Sequence, residues 1–336
     1  MSEPTWEWSG ARWWKFDLHT HTSAYDDYGK GPTQAELKAR SQREWLLDFM
    51  RAEIDCVAVT DHNSGAWVDL LKVALKQLEA ERPEGFRPLR LFPGVEISVN
   101  GGVHLLAIFA PEKTTSDIDT LLGAVEYRGT KGKSDAVSDK PFVGVVEAIE
   151  AAGGIAIPAH VDDPSGVFRE LSGNTLTQVL DCKPILAMEV ADPTAPKPPL
   201  YADRKPARTE VIGSDAHHPS GPKSPGSRFT WIKMGAPTID GLRLALLDGR
   251  LSVRRSDEGT GDPNDHAALA IEAIEVVKAR YLGRAERFAA RLNPWLNAVI
   301  GGRGTGKSTL VEFLRIALRR EKELPTELAA DFAKYA

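Results

Sequence analysis

The placement of the histidines constrains the fold of this chain more than any other feature. Six of the eight histidines stand where a short apolar run gives way to a polar segment: His19, His21, His62, His104, His160 and His217. Side chains so far apart in sequence meet only if the runs before them are strands whose ends converge on one side of a sheet. We therefore expect an α/β protein with polar side chains gathered at one end of its strands.

The first 255 residues show the pattern of repeated β-α units, because short apolar runs alternate with amphipathic segments. The predicted strands are 13–18, 56–60, 89–95, 103–109, 154–158, 187–190 and 210–212. The predicted helices are 33–50, which opens on a capping-box sequence at Thr33 and Glu36, 66–81 and 142–152. Polar composition predicts loops at 114–140 and 192–206. Seven strands predict a barrel, and the Asn100-Gly101-Gly102 turn predicts that one strand pair is antiparallel.

The histidines and several carboxylates have the spacing of metal ligands. His19 and His21 lie on the same side of an extended segment, so two imidazoles can face one ion. A carboxylate such as Glu96 can bridge two ions, which a single imidazole cannot. Nitrogen and oxygen ligands without thiolate favour Zn, Mn or Fe. The predicted metal ligands are His19, His21, Asp26, Asp27, His62, Glu96, His104, His160, Asp215 and His217.

These residues resemble the four motifs of the polymerase and histidinol phosphatase (PHP) superfamily, and the resemblance covers residues 13–220. It implies a distorted seven-stranded α/β barrel that holds two or three metal ions and hydrolyses phosphoesters. The nucleophile would be a metal-activated water, and no side-chain nucleophile is assigned. The acidic position after His21 falls on Asp26 in the general pattern and on Asp27 in variants with a loop one residue longer. The implied ligand sets are His19, His21, Glu96 and Asp215; Asp26 or Asp27, His62 and His217; and Glu96, His104 and His160.

A second motif lies near the end of the chain, between a predicted strand at 296–300 and a predicted helix at 309–320. In a phosphate-binding loop the glycine backbone wraps the phosphates, Lys307 reaches the β and γ phosphates, and Ser308 ligates Mg²⁺. The predicted ATP–Mg site comprises Gly301, Gly302, Arg303, Gly304, Thr305, Gly306, Lys307, Ser308 and Thr309.

The residues around this loop resemble the start of AAA/SMC-like ATPases of the chromosome-maintenance and repair type. The 28 residues after Ser308 contain no recognisable Walker B carboxylate, so ATP hydrolysis by this chain alone is not expected. Either the chain is a fragment of a longer protein or the nucleotide site is vestigial. Together with the stretches 229–234 and 241–246, the two motifs resemble the TrlF-type family, which implies a phosphoesterase or nuclease gated by an ATPase.

Composition and charge give the expected organisation of the chain. We predict a PHP domain over 1–255, a linker over 256–266 and the N-terminal fragment of a P-loop ATPase domain over 267–336. The fragment is predicted to begin with a Lys/Arg-rich helix at 267–290. The fragment carries 12 Lys/Arg against 8 Asp/Glu, and subtraction from the totals of 42 and 47 leaves 30 against 39 before it. A net charge of −5 argues against a protein that simply coats nucleic acid. The absence of a signal peptide or membrane-spanning run predicts a cytoplasmic protein.

The leading functional hypothesis is phosphoester hydrolysis, with DNA or RNA slightly favoured as substrate because a repair-type ATPase is attached. The alternatives are a nucleotide-regulated binding or scaffold protein and a small-molecule phosphomonoesterase. The complete set of metal ligands argues against the scaffold. A homodimer through the ATPase domain is the expected assembly.

Overall fold

The computed structural model describes residues 10–204, 208–265, 270–323 and 326. The chain divides into two compact units. One, the barrel unit, is Arg12–Gly261, and the other, the C-terminal unit, comprises the described residues from Asp262 onward together with Gly10 and Ala11. The division falls inside the predicted linker. His266 and the last ten residues of the predicted ATPase fragment lie outside the described residues.

The barrel unit is built on a curled seven-stranded sheet with the strand order β5-β4-β3-β2-β1-β8-β9. Strands β1, β2 and β3 are parallel, whereas β4, β5, β8 and β9 join by antiparallel pairings, and β6 and β7 form a separate parallel pair. The strands are β1 Arg12–Asp17, β2 Cys56–Val59, β3 Arg90–Val99, β4 Val103–Ile108, β5 Ile155–Pro158, β6 Ala187–Glu189, β7 Thr209–Val211, β8 Thr230–Met234 and β9 Val253–Arg255. All seven predicted strands are confirmed, while β8 and β9 were not predicted as strands.

The β6–β7 pair bridges the two arms of the curled sheet. On one side the Val161 amide, just after β5, donates to the Glu189 carbonyl at 2.8 Å. On the other side the Thr230 hydroxyl of β8 accepts from the Ile212 amide at 2.9 Å and donates to its carbonyl at 2.8 Å. The result is consistent with the distorted barrel that the resemblance implies.

The predicted antiparallel pair is β3–β4, joined by a tight turn. Gly101 and Gly102 have φ values of 99° and 74°, in the left-handed region that glycine adopts without steric cost. Every residue of β3 after Arg90 is buried, as expected of a strand covered on both faces. Glu96, in the middle of this strand, is therefore a carboxylate carried into the interior.

Nine α-helices surround the strands in the described part of the barrel unit: α1 Gln34–Lys38, α2 Gln42–Arg51, α3 Val68–Glu81, α4 Thr115–Ala124, α5 Phe142–Ala151, α6 Val167–Glu170, α7 Gly173–Asp181, α8 Pro199–Ala202 and α9 Ile239–Asp248. The predictions of α3 and α5 are confirmed. None of the described helices is long and apolar enough to cross a membrane.

The predicted single helix over 33–50 is wrong, because the chain breaks after α1 and starts again at Ser41. There the Ser41 hydroxyl accepts from the Glu44 amide at 3.3 Å, and the Glu44 carboxylate accepts from the Ser41 amide at 2.8 Å. This capping box opens α2, whereas Thr33 makes no side-chain capping bond.

The predicted loop over 114–140 is also partly wrong, since it begins with α4. Thr114 and Asp117 form the capping box of this helix. Ile118, Leu121 and Leu122 are buried in the core, where they outweigh the polar composition of the segment. The predicted loop over 192–206 contains the short helix α8.

The described C-terminal unit contains a hairpin, β10 Ala273–Val276 and β11 Phe288–Arg291, and one α-helix, α10 Lys307–Ala317. The predicted helix over 267–290 is wrong, because Ile274 and Val276 alternate with exposed residues and pack with Leu310. The predicted strand at 296–300 is wrong as well, since that segment is irregular and Leu296 and Ile300 are 85% and 92% exposed. The predicted helix after the phosphate-loop sequence is confirmed.

Candidate metal centre

The cluster of histidines and carboxylates is assembled where several strands end. His19 and His21 follow β1, His62 follows β2 and His160 follows β5. Parallel bridges between Thr20 and Ala216, and between His62 and Glu96, hold the segments after β7 and β2 against their neighbours. The structure brings together the eight predicted ligands His19, His21, His62, Glu96, His104, His160, Asp215 and His217.

Four ligand atoms, one each from His19, His21, Glu96 and Asp215, form a compact set that we call the four-ligand group. His19 Nε2 lies 3.2 Å from His21 Nε2, 3.3 Å from Glu96 Oε2 and 3.5 Å from Asp215 Oδ1. His21 Nε2 lies 3.2 Å from Asp215 Oδ1 and 3.5 Å from Glu96 Oε2. A tetrahedral ion with bonds of about 2.0–2.1 Å requires ligand atoms about 3.3–3.4 Å apart. The five separations of 3.2–3.5 Å are thus close to the spacing of ligand atoms around one ion.

Glu96 extends this site in a second direction through its other oxygen. Glu96 Oε1 lies 2.9 Å from His104 Nδ1 and 3.1 Å from His160 Nε2. His62 Nε2 lies 3.1 Å from Glu96 Oε2. A buried carboxylate with nitrogen ligands around both oxygens is arranged to bridge two ions.

The third group is formed by His21, His62 and His217, whose ligand nitrogens lie within 4.8 Å of one another. The rings of His21 and His217 are 4.2 Å apart. Tyr25 packs over this group, with its ring 4.5 Å from that of His62 and 5.3 Å from that of His217.

Two buried atoms that face the cluster, Glu96 Oε2 and His104 Nδ1, lie 3.1 Å from His62 Nε2 and 2.9 Å from Glu96 Oε1, but neither makes a hydrogen bond of acceptable geometry with any described residue. Buried polar atoms without partners are costly, and native proteins rarely leave them so. Metal coordination would satisfy both atoms. The residues present therefore fit a metal cluster.

The electrostatics place Glu96, Asp215 and His62 in the protonation states that bind metal. Burial opposes ionisation of Glu96, but the imidazoles of His62, His19 and His104 hold its pKa well below the usual value. For Asp215 burial is likewise outweighed, mainly by His19, so its pKa also lies well below the usual value. Burial lowers the pKa of His62 to about 4, which leaves the ring neutral near neutral pH. Ionised carboxylates and neutral imidazoles are the ligating forms.

The two aspartates predicted to follow His21 are not in the cluster. Asp26 is exposed, with one carboxylate oxygen 3.6 Å from Lys133 Nζ. Asp27 is half exposed and its carboxylate pairs with Lys30 at 3.2 Å. The structure thus assembles the second predicted ligand set only in part, and Tyr25, the residue before them, occupies the position beside the histidines.

Glu189, at the end of β6, is a buried contributor that sequence reasoning missed. Glu189 Oε2 lies 2.8 Å from His19 Nδ1 and accepts from the His160 backbone amide at 3.0 Å. Burial lowers the pKa of His19, but the carboxylates of Glu189, Glu96 and Asp215 together raise it well above the usual value. A carboxylate behind a metal-binding histidine fixes the tautomer and orientation of the ring. Its position in the sequence could have indicated it, because Glu189 ends strand β6 and His19, His62 and His160 closely follow the ends of other strands.

Two cavities of about 150 and 300 Å³ open onto the cluster. Both are bordered by His160, Asp163, Asp215 and Lys223, and Arg228 lines the larger one. Lys223 Nζ pairs with Asp215 Oδ2, so a cation lies next to the four-ligand group. Sequence reasoning did not single out either cation, since both lie in a Gly/Pro/Ser-rich segment.

No protein-family model matches the chain, and no curated protein matches it. Solved structures do match it.

The chain shares a fold with a lesion-specific endonuclease. That enzyme, from Pyrococcus furiosus, is 17% identical, with a TM-score of 0.52 over 70% of this chain and 56% of that chain. The chain therefore spans little more than half the length of the enzyme. Endonuclease Q in complex with a 27-mer duplex carrying an abasic lesion also matches, at 18% identity and a TM-score of 0.47, over 70% of this chain and 56% of that chain. At such identities the likeness establishes the fold of the barrel and leaves activity to be argued from the site.

Proposed function

We propose that this protein hydrolyses phosphoester bonds with two or three divalent ions, Zn, Mn or Fe, held by the cluster. The observation that carries the proposal is the four-ligand group of His19, His21, Glu96 and Asp215, in which five separations between ligand atoms measure 3.2–3.5 Å. A buried arrangement of this kind has no purely structural need for so many imidazoles. Divalent ions at such a site polarise phosphoryl oxygens and activate water near neutral pH.

Each residue of the cluster has a distinct proposed role. Glu96 links the four-ligand group to His104 and His160, while His62 and His217 complete the side covered by Tyr25. Asp26 or Asp27 would join His62 and His217 as the carboxylate ligand of a bound ion. Glu189 orients His19 from behind. The described cluster contains no serine or cysteine, so no side-chain nucleophile is assigned.

We infer that the substrate is a nucleic-acid phosphodiester. The supporting observations are the shared fold with a lesion-specific endonuclease and the two cations that border the larger cavity. A small phosphomonoester is the competing substrate, and relative rates on the two ester types separate them.

We further propose that the 301–309 loop binds ATP with Mg. Lys307 Nζ donates to the carbonyls of Gly301 and Gly302 at 2.7 Å each, which closes the loop around the start of α10. Gly304 and Gly306 have φ values of 80° and 89°, conformations that strain other residues. The proposed organisation is a phosphoesterase domain over 1–255 followed by part of an ATPase domain.

The test combines measurement of bound metal with an assay of phosphoester hydrolysis. Wild type, His19→Ala and His218→Ala would be analysed for metal by elemental mass spectrometry and assayed on bis-p-nitrophenyl phosphate and p-nitrophenyl phosphate. His218 is the matched control, because among the described residues its ring forms hydrogen bonds only with Ser220, and it lies outside the cluster. We expect bound Zn, Mn or Fe and diester hydrolysis in wild type and in His218→Ala, and neither in His19→Ala. Wild-type protein without metal or activity after reconstitution would favour the nucleotide-regulated scaffold, and preference for the monoester would favour a phosphomonoesterase.

A further inference from the structure

The segment between β7 and β8 carries two cations to the wall of the larger cavity. Lys223 stands beside Asp215, and Arg228 lies five residues further along the chain. The remaining wall includes the small residues Val190, Ala191 and Gly213. With a volume of about 300 Å³, the cavity is at the lower end of the range of about 300–1,000 Å³ for small-molecule sites. There is thus room beside the cluster for part of a substrate.

The segment is fixed to the barrel by a buried carboxylate. Asp17 accepts from the Ser214 amide at 2.9 Å and from the Gly226 amide at 3.2 Å. Gly226 has a φ of 68°, and a Cβ there would lie 2.8 Å from Ala52 Cβ. The two cations are therefore presented by a backbone that is anchored on both sides of Lys223.

The two cations have different partners. Lys223 pairs with Asp215 Oδ2, the oxygen that does not face His19 and His21, so it can contact a phosphate held at the metal cluster. Arg228 donates to the Val190 carbonyl at 3.2 Å. Within the described residues, no carboxylate oxygen lies within 4.0 Å of the Arg228 guanidinium. Arg228 is thus a cavity cation without an acidic ion-pair partner.

The charge of the larger cavity depends on the metals. Four acidic residues and two basic residues give a formal charge of −2: Asp163, Glu189, Asp192, Asp215, Lys223 and Arg228. Two divalent ions would reverse this sign. Anionic substrate is therefore expected to bind only to metal-loaded protein.

We propose that Lys223 and Arg228 form a substrate-positioning pair for a phosphodiester chain, in which Lys223 contacts the phosphate to be hydrolysed and Arg228 contacts the adjacent phosphate. The inference rests on the proposed function and gives it a substrate class, a nucleotide chain with at least two phosphates. Charge-assisted contacts of this kind contribute about 1.5–3 kcal/mol, or about tenfold to hundredfold in binding.

The experiment uses metal-loaded full-length protein and fluorescein-labelled dinucleotides without a terminal phosphate or with one at either end. Phosphorothioate-linked versions, which resist hydrolysis, give Kd by fluorescence anisotropy, and the natural versions give kcat/KM. The variants are Lys223→Met, Arg228→Met and the control Lys76→Met, whose side chain is exposed on α3. Metal content is measured for each.

We expect the terminal phosphate to tighten binding to wild type and to Lys76→Met by about tenfold or more. Arg228→Met should abolish most of that gain in affinity. Lys223→Met should weaken the binding of dinucleotides with and without a terminal phosphate by a similar factor, so that the gain remains, and its metal content should be unchanged. The proposed positioning pair is refuted if Arg228→Met keeps the full gain in affinity from the terminal phosphate. It is also refuted if Lys223→Met loses metal instead of substrate affinity. Because Kd needs no turnover, an inactive wild type that shows this pattern would overturn hydrolysis and keep the positioning pair.

Discussion

Glu189 is expected to set the metal affinity of the cluster without touching the metal. Both of its contacts use one oxygen, Oε2, which lies 2.8 Å from His19 Nδ1 and 3.0 Å from the His160 amide. Glu189→Gln can keep an oxygen in that place and loses only the charge, whereas Glu189→Ala loses both contacts. Removing a partner of this kind typically weakens metal affinity about 10–100-fold. We therefore expect the metal affinity to fall about tenfold in Glu189→Gln and about a hundredfold in Glu189→Ala. These factors correspond to about 1.4 and 2.7 kcal/mol of binding free energy.

The assay is competition between each protein and a chromophoric chelator for Zn²⁺ at neutral pH. Glu210→Gln is the control, because Glu210 lies on the neighbouring strand β7 and pairs with Lys197 and Arg255, away from the cluster. Circular dichroism and thermal unfolding of the metal-free proteins would show that each variant folds. If Glu189→Ala bound Zn²⁺ within twofold of wild type, the assignment of Glu189 as the orienting partner of His19 would be wrong.

Three further predictions follow from the structure. Ser41→Ala should lower the free energy of unfolding by about 1 kcal/mol because it removes the cap of α2, whereas Thr33→Ala should change it little, as urea unfolding can measure. A chelator should lower the Tm of wild type by about 5–10 °C, since metal at 100 times its Kd stabilises by about 2.7 kcal/mol; calorimetry should show no such shift for His19→Ala, and an equal shift would contradict metal binding at the four-ligand group. Lys307→Ala should weaken binding of a fluorescent ATP analogue at least tenfold, because the lysine would contact the phosphates of a bound nucleotide, and unchanged binding would show that the loop is not a nucleotide site.

The secondary-structure predictions that are wrong concern segments whose structure depends on long-range contacts. The segment 267–290 has helix-forming composition, yet Ile274 and Val276 pack as one face of a hairpin against Leu310, which lies 34 residues further along the chain. The helix predicted over 33–50 overlooked Ser41, because two capping-box sequences competed and only contacts in the folded chain selected one. Propensity gives local preferences, and burial against distant residues overrides them.

The candidate site was predictable where its signal was local. His19 and His21 share one side of an extended segment, and Asn100-Gly101-Gly102 dictates the hairpin that brings His104 to Glu96. Alternation, strand ends and turn residues are properties of neighbouring positions, so the sequence by itself predicted these residues as a group. Only the tertiary structure decided that Glu189 stands behind His19, that Asp26 and Asp27 face Lys133 and Lys30, and that Lys223 and Arg228 border the cavity. Those contacts join side chains from separate loops and strands, and their partners are chosen by the folded arrangement of the backbone, which no short-range pattern encodes.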